Sequence, residues 1–360
     1  MMTPRPPMST PSTEVDGGAR AGSLVIRLAA AGLGGAGALL SAPAVALAVP
    51  FWAVRGLTRR LAGSNWLQPR ALPWPDLLQY VPEVGWRTRP GLDAYGEADG
   101  VFHFTTDDEG WRGRRRLDEA DVLVFGDSYA FGHGVNDADM YSEHADGLAV
   151  KPMGSDGYSM VHAVLWMERL SIRLRDKIVV WMVYTGNDLY DNLRPNYGVY
   201  RMPYVRWRDG SWEIHTAHVS PERWPIAERQ VAYATELARL CTPGYETERA
   251  LDAANYLLER ARDAVRAAGA KFLVLCVPPR DQIDPKRLPS LRSRSPEPAR
   301  FDPLLLDREL ARRCAKLGIP FVPLAEHLTT DDYQKRDIHW TPAGNEKVGG
   351  LLAGFVRDLP

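Results

Sequence analysis

The sequence has few cysteines and no excess of charge of either sign. Its 360 residues include three cysteines, Cys241, Cys276 and Cys314, an odd number spread widely along the chain. This excludes a disulfide scaffold and a cysteine-cluster metal site. Lysine and arginine total 44 against 45 aspartate and glutamate. That balance excludes a strongly basic nucleic-acid-binding protein, and we expect no nucleic-acid partner.

The remaining composition is that of a folded protein. Hydrophobic residues make up 45% and charged residues 25% of the chain, which excludes disorder as the dominant state. The length allows roughly two domains, or one α/β domain with insertions. The near-zero net charge hides an asymmetry, because residues 1–60 hold six arginines and two acidic residues. That stretch carries a formal charge of +4, and the rest of the chain carries −5.

One long stretch near the amino terminus lacks charge altogether. Residues 1–22, rich in Pro, Ser, Thr and Gly, predict a disordered tail ahead of a hydrophobic segment at 23–60. No residue from Leu28 to Val54 is charged, and this stretch is longer than the roughly 20 residues that cross a bilayer. We therefore predict one membrane-spanning segment and a membrane-associated protein. A cleaved signal peptide is the main alternative, because Ala44-Val45-Ala46 resembles a cleavage site, and a buried or interfacial helix is another.

The orientation of this segment is only weakly determined by its flanks. Arg20 and Arg27 lie just before it, and four arginines lie just after it, Arg55, Arg59, Arg60 and Arg70. By the positive-inside rule this favours a cytoplasmic carboxy-terminal part. The margin is small, so the side of the membrane stays open.

Downstream, a lead-in at 61–118 rich in Trp and Pro precedes a region of alternating strand and helix patterns at 119–360. The lead-in predicts a linker and short strands without chemistry of their own, whose tryptophans pack on the following domain. The later apolar runs are short and largely unbroken by polar residues, as in strands buried on both faces. Five such runs alternating with helices predict an α/β fold with a parallel sheet and helices on both faces. The predicted strands are Val122–Phe125, Ala149–Met153, Ile178–Val183, Phe272–Val277 and Pro320–Pro323, and the predicted helices are Ser159–Asp176, Glu246–Ala268, Pro303–Leu317 and Pro342–Asp358.

The segment 189–245 interrupts this alternation. It is rich in Tyr, Trp, Arg and Pro without a clear period. We predict an insertion over the carboxyl end of the third strand that forms a lid or a substrate wall. Its aromatic side chains could stack on sugar rings or form a small core of the insertion itself.

Four polar motifs follow the first, second, third and fifth predicted strands. Each alone is a weak signal, because turns and helix caps use the same residue types. The carboxyl ends of parallel strands meet at one edge of the sheet, where such folds bind ligands, so together the motifs predict one crevice. In chain order they are Gly126-Asp127-Ser128, Gly154-Ser155-Asp156-Gly157, Thr185-Gly186-Asn187-Asp188 and Asp337-Ile338-His339-Trp340.

These residue types suit attack by a serine on a carbonyl group. A nucleophilic Ser128 needs a base and a group that orients the base, and His339 and Asp337 supply both in one loop. The Asn187 amide can donate to a developing negative oxygen. The glycine at 157 lets a backbone N–H approach a substrate closely.

The four motifs resemble those of the SGNH hydrolase superfamily, also called GDSL esterases and lipases, over about residues 121–358. The resemblance implies a three-layer flavodoxin-like fold with a five-stranded parallel sheet, and a site that needs no metal or cofactor. The family roles fall on matching positions: Ser128 as nucleophile, His339 as base, Asp337 as its orienting acid, and Ser128 N–H, Gly157 and Asn187 as the oxyanion hole.

Two positions depart from the founding motifs of the family. Tyr129 stands where the founding motif has Leu, a position whose side chain has no chemical role. Only Ile338 separates Asp337 from His339, where the family often has two residues. This Asp-x-His-Trp spacing looks like that of relatives that act on bacterial polysaccharides, including alginate acetylation proteins, and it adds weight to acyl transfer.

The sequence therefore predicts a serine esterase that acts on an acyl ester, such as an acetyl ester, of a small molecule or a glycan. An O-acyltransferase that moves the acyl group to a glycan hydroxyl is the first alternative. A non-catalytic binding or assembly protein on the same fold is the second. Arg280 is expected near the edge of the crevice, where it meets either an anionic substrate or only solvent and a salt bridge.

Overall fold

The computed structural model describes residues 74–222 and 233–359. The chain divides into two units, 1–68 and 69–360, and every described residue belongs to the second. The predicted tail at 1–22 and the predicted membrane segment at 23–60 lie outside the described residues. Within those described, no helix is long and apolar enough to cross a bilayer.

The secondary structure follows the chain in three stretches. The lead-in forms α1 (Trp74–Leu77) and two antiparallel hairpins, β1 (Leu78–Val81) with β2 (Gly85–Thr88) and β3 (Asp93–Glu97) with β4 (Val101–Thr105). There follow β5 (Val122–Gly126), α2 (Ser128–Phe131), β6 (Val150–Gly154), α3 (Met160–Arg169), β7 (Ile178–Tyr184), α4 (Asp188–Asp191), β8 (Asn196–Tyr197), β9 (Tyr200–Arg201), β10 (Tyr204–Arg208), β11 (Ser211–His215) and α5 (Tyr233–Leu240). The last stretch contains α6 (Tyr245–Ala267), β12 (Lys271–Val277), α7 (Arg280–Ile283), α8 (Leu288–Ser293), α9 (Leu305–Leu317), β13 (Phe321–Pro323) and α10 (Pro342–Arg357).

Five of these strands form one parallel sheet in the order β13-β12-β7-β5-β6. When the five strands are numbered in chain order and read from β6 to β13, their order is 2-1-3-4-5. This is the flavodoxin-like order, whose switch point lies between the first and third strands. The α/β prediction with a five-stranded parallel sheet is confirmed. Because the strand order reverses at β5, the loops after β5 and β7 diverge and leave a crevice between them.

Side chains of the sheet alternate between two separate cores, one on each face. Leu123 and Phe125 belong to the core that also contains residues of α3, α6 and α9. Val122 and Val124 belong to the core formed with α2 and α10. Burial on both faces explains why the strands read as unbroken apolar runs.

One predicted helix is shorter than expected. The pattern predicted a helix over 159–176, but α3 ends at Arg169 and a short 3₁₀ turn follows at Ser171–Leu174. In that turn Ile172 is 89% exposed, whereas Leu174 is buried.

The lead-in packs closely on the sheet and covers its edge at β6. Lys151 of β6 is fully buried, forms an ion pair with Asp107 at 2.9 Å, and donates to the carbonyls of Arg112 and Gly113, each at 3.0 Å. Trp111 is buried against Trp166 of α3, with ring centroids 4.8 Å apart. These contacts attach the lead-in to β6 and α3.

The aromatic side chains of the insertion mostly pack inward. Tyr190, Tyr200 and Trp212 lie partly buried against the larger core, whereas Trp207 on β10 is 56% exposed. Most of these aromatic side chains therefore contribute to packing and are not displayed to solvent. The three cysteines are buried and unpaired.

Candidate active site

The polar motifs that follow the strands meet at the carboxyl edge of the sheet, around a cavity of about 600 Å³. Ser128 opens α2 directly after β5, and Asn187 lies between β7 and α4. His339 lies in the loop between β13 and α10. All predicted site residues line this one cavity: Ser128, Gly157, Asn187, Asp337 and His339.

A continuous chain of hydrogen bonds joins Ser128, His339 and Asp337. The Nε2 atom of His339 lies 2.7 Å from the Ser128 hydroxyl oxygen. Its Nδ1 atom makes a short hydrogen bond to the Asp337 carboxylate, which also accepts the His339 backbone N–H at 3.0 Å. Since an ionised carboxylate can only accept, Nδ1 carries the proton and Nε2 is left to accept one from the serine.

The surroundings keep this pair in the charge states that proton removal needs. Burial would raise the pKa of Asp337, but the hydrogen bond and charge of His339 outweigh it and hold the pKa at about 2. Burial lowers the pKa of His339 below its usual 6.5, against the opposing effect of the Asp337 hydrogen bond. At neutral pH Asp337 is therefore charged and His339 is neutral.

Three donors are available for an oxygen that becomes negative in the cavity. Ser128 is the first residue of α2, so its backbone N–H has no acceptor within the helix. Gly157 lies in the cavity wall with φ +75°, and a Cβ there would come within 3.0 Å of the Tyr197 ring. One N–H of the Asn187 amide donates to Asp191 at 2.8 Å, which fixes the amide and leaves its second N–H unused by that bond.

Asp99, a residue that the sequence pattern did not single out, holds the loop that carries Asp337. Its carboxylate accepts the backbone N–H groups of Lys335, Arg336 and Asp337 at 2.8, 3.0 and 2.8 Å. Asp99 follows β3 in the lead-in, a region whose sequence did not indicate any contact with the site. Asp99 and Asp337 are 238 positions apart, so no local motif could have linked them.

Replacing Asp99 by alanine is expected to lower kcat by about 10- to 100-fold, since a misalignment of about 1 Å has that effect on a reacting group. KM should change little, because Asp99 acts through Asp337 and not on the substrate. Initial rates over a range of ester concentrations separate the two constants. Asp93→Ala is the matched control, as Asp93 is an exposed carboxylate on the same hairpin that bonds to His103 and Arg114. A loss confined to KM, or an equal loss in the control, would contradict this role.

Tyr129 also supports the loop, although the sequence assigned its side chain no role. The side chain is buried, and its hydroxyl donates to the carbonyl of Ile338, between the acid and the base. Its ring packs against His339 and Trp340, with centroids 4.9 and 4.8 Å away. Through these contacts Tyr129 helps to hold the loop that carries Asp337 and His339.

Arg280 lies at the cavity as predicted, but its charge is directed at the protein backbone. Its guanidinium donates to the carbonyls of Gln334 and Lys335 at 2.8 and 3.3 Å. Those carbonyls belong to the same loop that Asp99 holds. Arg280 therefore helps to hold this loop in its conformation.

Part of the cavity wall is apolar and comes partly from the insertion, beside charged residues that include Arg287, Lys335 and Arg336. Tyr197, Tyr233 and Leu237 of the segment 189–245 line the cavity, as expected of a substrate wall. Ile338, which is 50% exposed, adds an aliphatic surface beside the serine. A wall of this kind suits an acyl chain or the carbon face of a sugar.

One set of donor atoms at the site has the spacing of metal ligands. Atoms of His133, Asp337 and His339 lie within 4.8 Å of one another. Asp337 and His339 already bond to each other, and His339 bonds to Ser128. The hydrogen bonds of these atoms are therefore already made within the protein.

Comparison with known families agrees with this geometry. The family model described as an SGNH hydrolase-like domain, acetyltransferase AlgX, matches residues 241–360. The matched range contains Asp337 and His339, whereas Ser128, Gly157 and Asn187 precede it. This match supports the resemblance to the SGNH hydrolase superfamily over the carboxy-terminal third of the chain, and with it an activity of the esterase or acyltransferase type in general.

Solved structures show a distant likeness. A GDSL-like lipase from Bacteroides thetaiotaomicron is 14% identical with a TM-score of 0.37, covering 68% of this chain and 91% of that one. A member of the lipolytic G-D-S-L family from Veillonella parvula is 13% identical, with a TM-score of 0.35 and coverage of 65% and 96%. An inhibitor-bound aryl esterase from M. smegmatis is 14% identical, with a TM-score of 0.37 and coverage of 66% and 99%. Likeness at this level says nothing about substrate. A comparison with curated proteins found no match.

Proposed function

We propose that the protein is a serine esterase that hydrolyses an acyl ester, such as an acetyl ester, through an acyl-enzyme on Ser128. The observation that supports this best is the chain of hydrogen bonds from the Ser128 hydroxyl through His339 to Asp337. A cavity that holds this chain, three oxyanion donors and an apolar wall has the parts that acyl transfer requires.

In the first half of the proposed reaction, the Ser128 hydroxyl oxygen attacks the ester carbonyl carbon. His339 Nε2 accepts the hydroxyl proton, and the Asp337 carboxylate stabilises the imidazolium that forms. The carbonyl oxygen becomes negative and accepts hydrogen bonds from the oxyanion donors, which are the Ser128 N–H, the Gly157 N–H and the Asn187 amide. The C–O bond to the leaving alcohol then breaks, and His339 gives its proton to that oxygen.

In the second half, water attacks the acyl-serine carbonyl while His339 Nε2 removes a proton from the water. The same three donors stabilise the second tetrahedral intermediate. When that intermediate collapses, the bond to Ser128 breaks, and His339 returns the proton to the serine oxygen. The products are a carboxylic acid and the free enzyme.

O-acyl transfer to a glycan hydroxyl is the second candidate. It uses the same acyl-enzyme, with a sugar hydroxyl in place of water, and the description of the matched family model as an acetyltransferase favours it. The Asp-x-His-Trp spacing at Asp337 points the same way. Incubating the protein with an acetyl donor, with and without an oligosaccharide, separates the two reactions. Free acetate in both cases supports hydrolysis, whereas acetylated sugar supports transfer.

Labelling with a fluorophosphonate probe tests both catalytic proposals against a non-catalytic binding protein. The probe reacts only with a serine that an adjacent base activates. We expect covalent labelling of the wild-type protein at Ser128, located by mass spectrometry of the peptides. A protein that shows no labelling and no ester turnover would be a binding protein on this fold.

A further inference from the structure

The cavity contains a second imidazole–carboxylate pair, His133 with Asp156. His133 Nδ1 lies 3.0 Å from the Asp156 carboxylate, and each side chain is 18% exposed. The pairing repeats that of His339 with Asp337, since a carboxylate holds Nδ1 in both. The His133 and His339 rings lie against each other, with centroids 4.6 Å apart at an angle of 40°.

Separate contacts fix His133 in this position. The residue follows the end of α2, and its N–H donates to the Ser128 carbonyl at 3.0 Å. The Phe102 ring meets its imidazole edge-on, with centroids 5.1 Å apart. Fully buried Arg112 donates to the carbonyls of Gly132 and Val135 on either side, at 2.7 and 2.6 Å. These contacts fix the backbone around His133 and place one edge of its ring against Phe102.

The carboxylate of the pair is anchored from the lead-in. Asp156 precedes Gly157 in the turn after β6, and its backbone carbonyl accepts the Trp86 indole N–H at 3.0 Å. Trp86 is itself buried in the larger core. Both members of the pair are thus held by contacts that are independent of their own hydrogen bond.

The surroundings favour the charged forms of both members of the pair. Burial acts to lower the pKa of His133, but the charge and hydrogen bond of Asp156 outweigh it, and the pKa lies above 6.5. Burial acts to raise the pKa of Asp156, and His133 in turn brings it below its usual value. The other charges that face His133 are Asp337, which favours the cation, and Arg112, which opposes it.

The charges of His133 and Asp156 both act on His339. The positive charge of His133 lowers the pKa of His339, and the more weakly acting charge of Asp156 raises it. Asp337 acts on it through its hydrogen bond and its charge. Tyr129, which packs on the same ring, stays neutral because burial raises the pKa of its phenol. The net effect of the His133–Asp156 pair is to oppose protonation of His339.

We propose that His133, charged and held by Asp156, is a positioning residue that keeps His339 in its neutral, proton-accepting form beside Ser128. This inference rests on the proposed function, because it assigns His133 a part in how His339 acts as base. The pair takes no proton from substrate itself. Its effect is to keep His339 able to accept a proton at lower pH.

The test is the pH dependence of fluorophosphonate labelling at Ser128, because the labelling rate follows the neutral fraction of His339. Replacing His133 by glutamine removes the positive charge and leaves that of Asp156. The pKa of His339 then rises, and the acid limb of the labelling profile moves to higher pH. We expect a shift of at least about half a pH unit, since unit charges about 5 Å apart interact this strongly even in water.

A second variant separates charge from packing. In the double variant H133Q/D156N the unpaired carboxylate is gone, so the acid limb should move back toward the wild-type position. D156N alone should move the acid limb slightly to higher pH, because a buried His133 without its partner loses its charge. This variant replaces H133Q if H133Q does not fold. H103Q is the matched control, as His103 also pairs with an aspartate, Asp93 at 2.7 Å, but on the surface. It should leave the profile unchanged.

The outcomes distinguish this inference from the proposed function. Wild-type protein that does not label at any pH contradicts the proposed function. Labelling at Ser128 with the same midpoint in the wild type and in the folded His133 or Asp156 variant overturns only the role of His133. Imidazole NMR titration of His339 in the wild type and the variant gives the same answer without any reaction.

Discussion

Ser128→Ala is expected to abolish fluorophosphonate labelling and to lower ester turnover by at least about 10⁴-fold. The substitution removes the oxygen that lies 2.7 Å from His339 Nε2, so no acyl-enzyme can form. Residual turnover would come only from water bound among the oxyanion donors. Steady-state hydrolysis of a small acetyl ester, with burst amplitude as a second measurement, gives the size of the loss.

The fold should survive this change. The Ser128 side chain is only partly buried and makes one hydrogen bond, which is worth about 1 kcal/mol of unfolding free energy. Ser293→Ala is the control, because Ser293 is exposed on α8 and bonds only to the Ser290 carbonyl. Hydrolysis at the wild-type rate by the Ser128 variant would refute the mechanism, whether or not the probe labels another residue.

The parallel sheet and the motifs that follow its strands were predictable because their sequence patterns are local. Four of the five strands are largely buried on both faces, and β13 is half-buried. Each therefore reads as an apolar run, and every predicted strand overlaps an observed one. The motifs after β5, β6, β7 and β13 then converge, because parallel strands end at one edge of the sheet. Ser128, Asn187 and His339 could be brought together by that reasoning alone.

The supporting residues could not be found in this way. Asp99 reaches Asp337 from a hairpin far away in sequence, and His133 meets Asp156 across two loops without a regular period. Their roles depend on tertiary contacts that no spacing encodes. Tyr129 illustrates the same limit, since its place in the motif was visible while its bond to the Ile338 carbonyl was not.

The lead-in contributes more to the site than its composition indicated. Its Asp99 holds the acid loop, its Arg112 fixes the segment that carries His133, and its Trp86 anchors Asp156. The site therefore depends on residues that precede the first strand of the parallel sheet. A protein expressed without these hairpins would lose contacts that support both His133 and His339.

Asn187→Ala is expected to lower kcat by about 10²–10³-fold, the usual effect of losing one oxyanion donor. KM should change little, because the amide bonds to an oxygen that carries full charge only in the transition state. Asp191 accepts one N–H of this amide at 2.8 Å and so aims the other at the reacting oxygen. Asp191→Asn should therefore cause a smaller loss of the same kind, by freeing the amide to turn.

The control for both substitutions is Asn255→Ala on α6, where the amide bonds only to Glu259, one helical turn away. Its kinetic constants should match those of the wild type. Kinetics with a small acetyl ester and probe labelling rates should fall together in Asn187→Ala, since both reactions place negative charge on the same oxygen. A loss that appears only in KM, or full activity without the amide, would mean that the backbone N–H groups of Ser128 and Gly157 bind the oxyanion alone.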